Sequence, residues 1–395
     1  MGVRQLGCKK GLAIASLNVN SLLLHIDEIR KLIKEKSIHV LALNETKLDD
    51  KIASDLLRID GYTLYREDRT RNGGGVAVYI SDSLKHSRRN DFPERALEML
   101  SIEVEPKGAR PFLVVAWYRP PTEPVETFTK LEKNLDFFDR ENKEILILGD
   151  TNCDLLKVTS PETDSNLAGN SLHMSNIYEL FGFRQMINEP TRETLDTSTL
   201  IDHVATNTPA NIVDSGVLKI SLSDHYLVFC IRKFRGFIQR QPKLIRSRRM
   251  KNFDHESFLF DLSQIDWDGI VRNCDNVHDA VQQWSTTLSL VIEMHAPLQD
   301  MRVSNKYSPW LNNDFRKLSR QRDRIKAAAI KRKSAVLMDA YKQLRNKANI
   351  LNKNLKREYF SKKLAACKGD LKQSWKTINL LLNKRSKTTN IDSLK

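Results

Sequence analysis

The run EILILGDTNCD (144–154) carries the reading of the fold. Ile145 to Leu148 are apolar without interruption, and Gly149-Asp150 ends the run abruptly. A strand buried on both faces has this texture, whereas a half-exposed strand alternates polar and apolar residues. The same figure recurs on both sides of it. LAIASLNVN (12–20) and IHVLALNET (38–46) are apolar runs closed by polar residues, and between them HIDEIRKLIKEK (25–36) sets Ile26, Ile29 and Ile33 on one helical face. GYTLYRED (61–68) and GGGVAVYIS (73–81) are two strands joined by the polar loop RTRNGGG. EMLSIEVEP (98–106) and PFLVVAWYRPP (111–121) form a hairpin around Lys107-Gly108. Helices follow at ETFTKLEKNLDFFDR (126–140) and near HMSNIYELFGF (173–183), with strands around TLIDHVATN (199–207) and DHYLVFCIR (224–232). Strands outnumber helices, and hairpins mix with crossovers. The class is α/β, with mixed sheets under covering helices.

After Arg240 the texture changes. IQRQPKLIRSRRMK (238–251) reads as a basic, proline-interrupted linker, and 254–297 as short helices. From Asp314 to Asn383 the pattern is helical and basic, with Pro309 near the helix start. Leu337, Leu344 and Leu351, with Tyr341, Ala348 and Leu355, repeat at heptad spacing, which favours a helical hairpin packing on itself over a coiled coil. The expected domains are 1–235, a linker at 236–253 and a helical basic extension at 254–395. Charge supports that division. Residues 236–395 hold 33 Lys and Arg against 15 Asp and Glu, while 1–235 hold 31 against 34. A basic half predicts a polyanionic partner, of which nucleic acid is the foremost, although a solvated helical face would look the same.

No stretch approaches the roughly 20 apolar residues of a membrane span. The N-terminus has no defensible signal-peptide cleavage site, and Leu6 stands where a myristoylation motif needs Ser or Thr. The chain reads as soluble and intracellular, without membrane attachment. Cys8, Cys153, Cys230, Cys274 and Cys367 are odd in number and never spaced as CxxC, which speaks against both a disulfide framework and a zinc ribbon.

Gly73-Gly74-Gly75 lacks the Lys-Ser/Thr of a phosphate-cradling loop and reads as a turn into VAVYI. The polar residues at strand ends say more. Asn18, Glu45, Asp150 and Asn152 close apolar runs, Asp202 lies inside LIDHVATN, and Ser223-Asp224-His225 opens the last strand. Singly, each also reads as a turn former or a satisfied core histidine. Together, on the rim where neighbouring strands end, they make an oxygen-rich site suited to a hard cation such as Mg²⁺.

The ordered set SLNVNS, LNETKL, WYRPPTE, GDTNCD, LIDHV and SDH resembles the endonuclease/exonuclease/phosphatase superfamily over roughly residues 11–232. Within it, the sequence is most similar to the apurinic-like endonuclease domain of non-LTR (LINE-type) retrotransposons. The segments SPWLNNDF, YKQLRNKANILNKNLKREYF and LKQSWKTINLLLNK resemble, more loosely, the helical linker between endonuclease and reverse transcriptase in such elements. The resemblance implies a four-layer α/β sandwich of two packed mixed sheets flanked by helices, with a mainly helical basic extension. It also implies a Mg²⁺-dependent endonuclease (Mn²⁺ substituting) that nicks DNA and leaves a 3′-hydroxyl.

Carried over by position, Glu45 is the principal metal ligand with Asn18 beside it, and Asp224 is a second metal-side carboxylate. Asp150 orients or deprotonates the attacking water, and Asn152 fixes Asp150 and the phosphate. Tyr118 bonds a phosphate oxygen, Asp202 pairs with His225, Ser223 shapes the turn, and Thr191 is a candidate for the DNA backbone. Asn20 stands where the repair enzymes carry an aspartate, a departure that retrotransposon members tolerate.

The residue types fit phosphodiester cleavage independently. His225, with an ordinary pKa of about 6.5, would be held cationic by Asp202 and so stabilise developing negative charge. Ser223 sits two residues before His225 and no G-x-S-x-G elbow exists, so a serine hydrolase is disfavoured. Lys47, Arg66, Arg69 and Arg71 are loop candidates for phosphate contact, and RNA is a further candidate partner for the basic helices. Polymerase signatures of the Y-x-D-D or F-x-D-D type are absent, so a reverse transcriptase domain is not expected in this chain. Action on chromosomal DNA would be nuclear. The competing readings are a small-molecule phosphatase of the same superfamily, and a catalytically inactive nucleic-acid-binding module.

Overall fold

A computed structural model describes residues 10–158, 165–234, 243–250, 253–303 and 308–384. Cys8, the Met1-Gly2 start and parts of the expected linker lie outside the described residues. The chain divides into two units, Met1–Ile238 with Tyr307–Lys395, and Gln239–Lys306.

In the first unit the apolar runs are strands, as their texture requires. The order is β1 (Leu12–Asn18), α1 (Leu22–Lys36), β2 (Val40–Asn44), α2 (Ser54–Leu57), β3 (Tyr62–Glu67) and β4 (Val76–Ser81). Then come β5 (Lys85–Arg89), β6 (Met99–Glu105), β7 (Phe112–Trp117), α3 (Glu126–Asp139), β8 (Glu144–Asp150) and α4 (Ser165–Leu180). Short strands β9 (Arg184–Gln185), β10 (Arg192–Glu193) and β11 (Ser198–Thr199) precede β12 (Asp202–Thr206), β13 (Ile212–Leu218) and β14 (Leu227–Arg232).

Two six-stranded sheets result, ordered β13-β14-β1-β2-β4-β3 and β5-β6-β7-β8-β12-β9. Each has one parallel pair, β1 with β2 and β7 with β8, and the intervening helix of each crossover covers the outer face. The remaining pairings are antiparallel, so both sheets are mixed.

Alternation along each strand builds the layers. Leu12 and Ile14 of β1 join Val114 and Ala116 of β7 and Leu146 and Leu148 of β8 in the core between the sheets. Ala13, Ala15 and Leu17 face the opposite way, onto Ile26, Ile29 and Ile33 of α1. On the other sheet Leu113, Val115 and Ile147 pack outward against Phe128 and Leu135 of α3 and Ile177 of α4. The protein is therefore a helix–sheet–sheet–helix sandwich, and strands packed on both faces need the uninterrupted apolar runs seen in the sequence.

Besides the two-residue strands β9, β10 and β11, further strands escape the apolar criterion, and two are instructive. KHSRR forms β5 because its side chains pair with acids across the strand, Lys85 with Glu105 at 2.6 Å and Arg89 with Glu103 at 3.2 Å. The other is β15 (Lys243–Arg248), inside the segment expected to be a linker. It belongs to the second unit with α5 (His255–Ser263), α6 (Trp267–Arg272), α7 (Val277–His295) and β16 (Leu298–Val303). The antiparallel partner of β15 is β16, so far downstream that no local pattern announces it. Helices α5, α6 and α7 are capped by the side chains of Asp254, Asp266 and Asn276, and Trp267 meets Trp284 at 5.8 Å.

The chain then returns to the first unit as α8 (Asn313–Arg332), α9 (Ala335–Ala365) and α10 (Leu371–Leu381). Lys333 in left-handed conformation ends α8 and Ser334 caps α9, which gives a hairpin. Ala348, Leu351 and Leu355 of the heptad series pack on Phe315 and Leu318 of α8, as expected of a helix folding back on its neighbour. Among the described residues no helix is long and apolar enough to cross a membrane.

One glycine is indispensable to this arrangement. Gly149 has φ +142°, and a Cβ there would lie 1.9 Å from the Trp117 carbonyl oxygen of β7. Gly149→Ala is expected to destabilise the fold by about 2–4 kcal/mol through backbone strain and overpacking. Denaturant unfolding measures this, and an unchanged midpoint refutes it.

Candidate active site

The strand-end residues gather on one rim where the two sheets meet. Asn18 ends β1, and its Nδ2 donates to Glu45 Oε1 and to Asp150 Oδ2, both at 2.9 Å. Glu45 follows β2 and also accepts from the Tyr118 hydroxyl at 3.1 Å. Asp150 ends β8, and its Oδ1 accepts from the Asn152 backbone N–H at 3.1 Å. Beyond Asp150 lies His225, Nε2 to Oδ2 3.8 Å, and the other ring nitrogen, Nδ1, is 2.9 Å from Asp202 Oδ2. The result is one connected polar chain, Tyr118–Glu45–Asn18–Asp150–His225–Asp202, drawn from six strand ends.

Local geometry fixes the members. Glu45 (φ +50°) and Asn152 (φ +50°) adopt the left-handed region, which L-residues occupy only when their surroundings enforce it. Around Glu45 the enforcement comes from the glycine run. The N–H groups of Thr46 and Lys47 donate to the carbonyls of Gly75 (3.2 Å) and Gly74 (3.0 Å). Gly75 needs φ +89°, and a Cβ there would meet Thr46 Oγ1 at 2.5 Å. Asn152 donates from Nδ2 to the Arg119 carbonyl at 2.9 Å, which anchors the turn after Asp150.

Other sequence-derived candidates take supporting places. Thr191 is fully buried, and its hydroxyl accepts from the N–H groups of Ile201 (3.2 Å) and Asp202 (3.1 Å). It therefore holds the start of β12 and does not reach outward. Ser223 donates from Oγ to the Asn18 carbonyl at 2.6 Å and accepts from the His225 N–H at 3.2 Å. Asp224 faces Arg192, with Oδ2 to Nη2 2.8 Å. Arg69 and Arg71 lie in an exposed loop, and Arg69 pairs with Glu98 at 2.7 Å. Arg66 is tied to Asp68 and to the carbonyls of Asp49 and Ile52, and Lys47 donates to Asn20. Next to Tyr118, a cavity of about 280 Å³ is lined by Arg69, Arg95, Glu98, Trp117 and Pro120.

Asn44 is a residue that strand reading overlooked. Its Oδ1 accepts from the Asp150 N–H at 3.1 Å, and its Nδ2 donates to the Trp117 carbonyl at 3.2 Å. The available signal was a polar residue inside the apolar run VLALN, immediately before Glu45.

Electrostatics set the chemistry. Burial pushes Asp150 up to about 7; the His225 charge opposes this rise and the Asp202 charge adds to it. For His225 burial acts downward, but Asp202 and then Asp150 outweigh it and raise the imidazole to about 9. His203, next to Asp202 on β12, meets the Tyr178 hydroxyl at 2.9 Å and is taken down by burial to about 4, a structural histidine.

Asp150, Asp202 and His225 offer ligand atoms within 4.8 Å of one another. With Glu45, three carboxylates face a single imidazolium, a formal excess of two negative charges. Hard oxygen donors in this excess suit a divalent cation, so the donor set fits one.

A family model described as Endonuclease/Exonuclease/phosphatase family matches residues 15–225. No curated protein matches the chain. Among solved structures, the chain is similar to an AP endonuclease from Archaeoglobus fulgidus (18% identity, 56% of this chain and 100% of that one, TM-score 0.47). It is also similar to the 3′-5′ exonuclease NExo from Neisseria meningitidis (17% identity, 56% and 100% covered, TM-score 0.47). A third is the endonuclease domain of TRAS1, a telomere-specific non-LTR retrotransposon (14% identity, 57% and 100% covered, TM-score 0.45).

The raised His225 yields a pH prediction. A folded-state pKa of about 9 against about 6.5 unfolded gives stability that is complete below pH ~6.5 and lost as pH rises through ~9. In EDTA, wild type should lose on the order of 1–3 kcal/mol across that window. Asp202→Asn should flatten the dependence. Equal slopes for the two proteins in denaturant titrations would refute the assignment.

Proposed function

The chain belongs to the endonuclease/exonuclease/phosphatase family, and we propose that within it the protein is a Mg²⁺-dependent endonuclease that nicks DNA and leaves a 3′-hydroxyl. The observation that carries this reading is the unbroken polar chain from Tyr118 to Asp202. It joins a carboxylate that can hold a cation, a buried carboxylate that can accept a proton, and an imidazolium that can stabilise an anion.

In this reading Glu45 and Asn18 hold the cation, with Mn²⁺ as a substitute. When bound, the cation supplies Lewis acidity to the phosphoryl group and screens charge on the leaving oxygen. Asp150 orients water and takes its proton as the water oxygen bonds to phosphorus. The P–O3′ bond breaks, and the departing oxygen takes a proton from solvent water to become the 3′-hydroxyl. Asn152 keeps Asp150 in place through its backbone N–H. His225, kept cationic and oriented by Asp202, stabilises the charge that develops on the phosphoryl oxygens, and Tyr118 donates to one of them.

Thr191 and Ser223 support this machinery from behind, and Asp224 acts through its pair with Arg192. The exposed loop holding Arg69 and Arg71, beside the cavity next to Tyr118, suits the flanking phosphates. Basic residues on α8 and α9 suit salt-sensitive binding of DNA, or of RNA in a retroelement setting. Chromosomal DNA as substrate would place the action in the nucleus.

Supercoiled-plasmid nicking in Mg²⁺ tests the reading. Wild type should convert plasmid to open circles, EDTA should abolish the conversion, and Glu45→Ala should slow it by on the order of 10²–10³-fold. Folded wild-type protein that binds plasmid without nicking it would sink the proposal in favour of a binding module. Hydrolysis confined to small phosphoesters would turn it into a phosphatase.

A further inference from the structure

Outside the catalytic chain, a buried lysine faces the segment that carries His225. Lys326 of α8 is 3% exposed, and an ammonium is retained inside a protein only where its donors are satisfied. Its Nζ donates to the Ser223 carbonyl at 2.9 Å and reaches the Asp224 carbonyl at 3.3 Å. The rings of Tyr226 and Tyr341 stand 4.9 and 5.5 Å from it, within cation–π range. The ammonium therefore addresses the segment 223–226 that carries His225 into β14.

The helix that delivers Lys326 is anchored where the other catalytic residues originate. Arg322, one turn earlier, pairs with Glu28 of α1 at 3.3 Å, and Lys356 of α9 reaches Asp27 at 3.4 Å. Helix α1 connects β1 to β2, the strands that end in Asn18 and lead to Glu45. Ser223 in turn donates to the Asn18 carbonyl.

We infer that the α8–α9 hairpin is a positioning element of the active site, in which Lys326 grips the 223–224 backbone so that His225 stays between Asp202 and Asp150. Lys326 is a positioning residue, since it touches the loop and not the reacting groups. The kinetic consequence rests on the proposed phosphodiesterase activity, whereas the placement of His225 does not.

The test uses the full chain with Lys326→Met and Lys326→Arg, read by thermal unfolding, by the His225 ring ¹⁵N and ¹H signals, and by plasmid nicking. Folded Lys326→Met should shift the His225 signals. It should also lower kcat about tenfold to a hundredfold, the scale expected of a displaced catalytic group, with KM nearly unchanged. Lys326→Arg, which keeps charge and donors, should restore most of kcat. If Lys326→Met does not fold, Lys326→Gln keeps an amide donor and is read in the same way. Native His225 signals and native kcat in a folded variant would overturn the inference. Absence of nicking by wild type would overturn the activity alone, and the His225 signals would still decide the positioning.

Discussion

A carboxylate buried at the seam between two sheets is the constraint on which the molecule depends. Asp150 ends a strand of one sheet, and two amides that end strands of the other receive it: Asn18 donates to its carboxylate, and Asn44 accepts from its backbone N–H. A buried, unsatisfied carboxylate would be strongly destabilising, so the sheets are held in the one relative placement that lets all three meet. Fold and site share this requirement. The seam that closes the sandwich also collects the polar chain, and Gly149 exists to let β8 approach β7 closely enough for Asp150 to arrive.

Much of this was legible in the sequence because burial on both faces leaves a recognisable mark. Asn18, Glu45, Asp150 and Asp202 each break an apolar run, and the structure brings them together with Tyr118 and His225. Residues whose roles depend on a partner far along the chain were not legible. Asn44 reads as part of its strand until Trp117 and Asp150 are placed beside it. Strand β5 has no apolar stripe, because cross-strand ion pairs hold it. Lys326 sits in a run of basic residues and is indistinguishable there from Arg320 or Arg324, which face solvent. Thr191 looked available to a ligand, but its hydroxyl is spent on two backbone donors.

Charge in the sequence and contact in the structure draw different lines. The basic excess begins near residue 236, yet the helices of 307–395 cluster with 1–238, and 239–306 form the separate unit. The ion pairs explain the difference. Acidic residues of α1 that make the first half near-neutral are matched to Arg322 and Lys356. Part of the apparent excess on the helices is thus internal glue, and the remainder is exposed along α8 and α9.

The strand order of the first sheet has a consequence for synthesis. Strand β1 sits between β2 and β14, with Leu12 opposite Arg232. On the ribosome, Asn18, Glu45 and Asp150 emerge long before the strand that brings His225, and Lys326 later still. Pairings this remote in sequence form slowly, because loop closure precedes the contacts that reward it. A nascent chain therefore carries the acidic half of the site without its imidazolium, and the polar chain is complete only once β14 has closed the sheet.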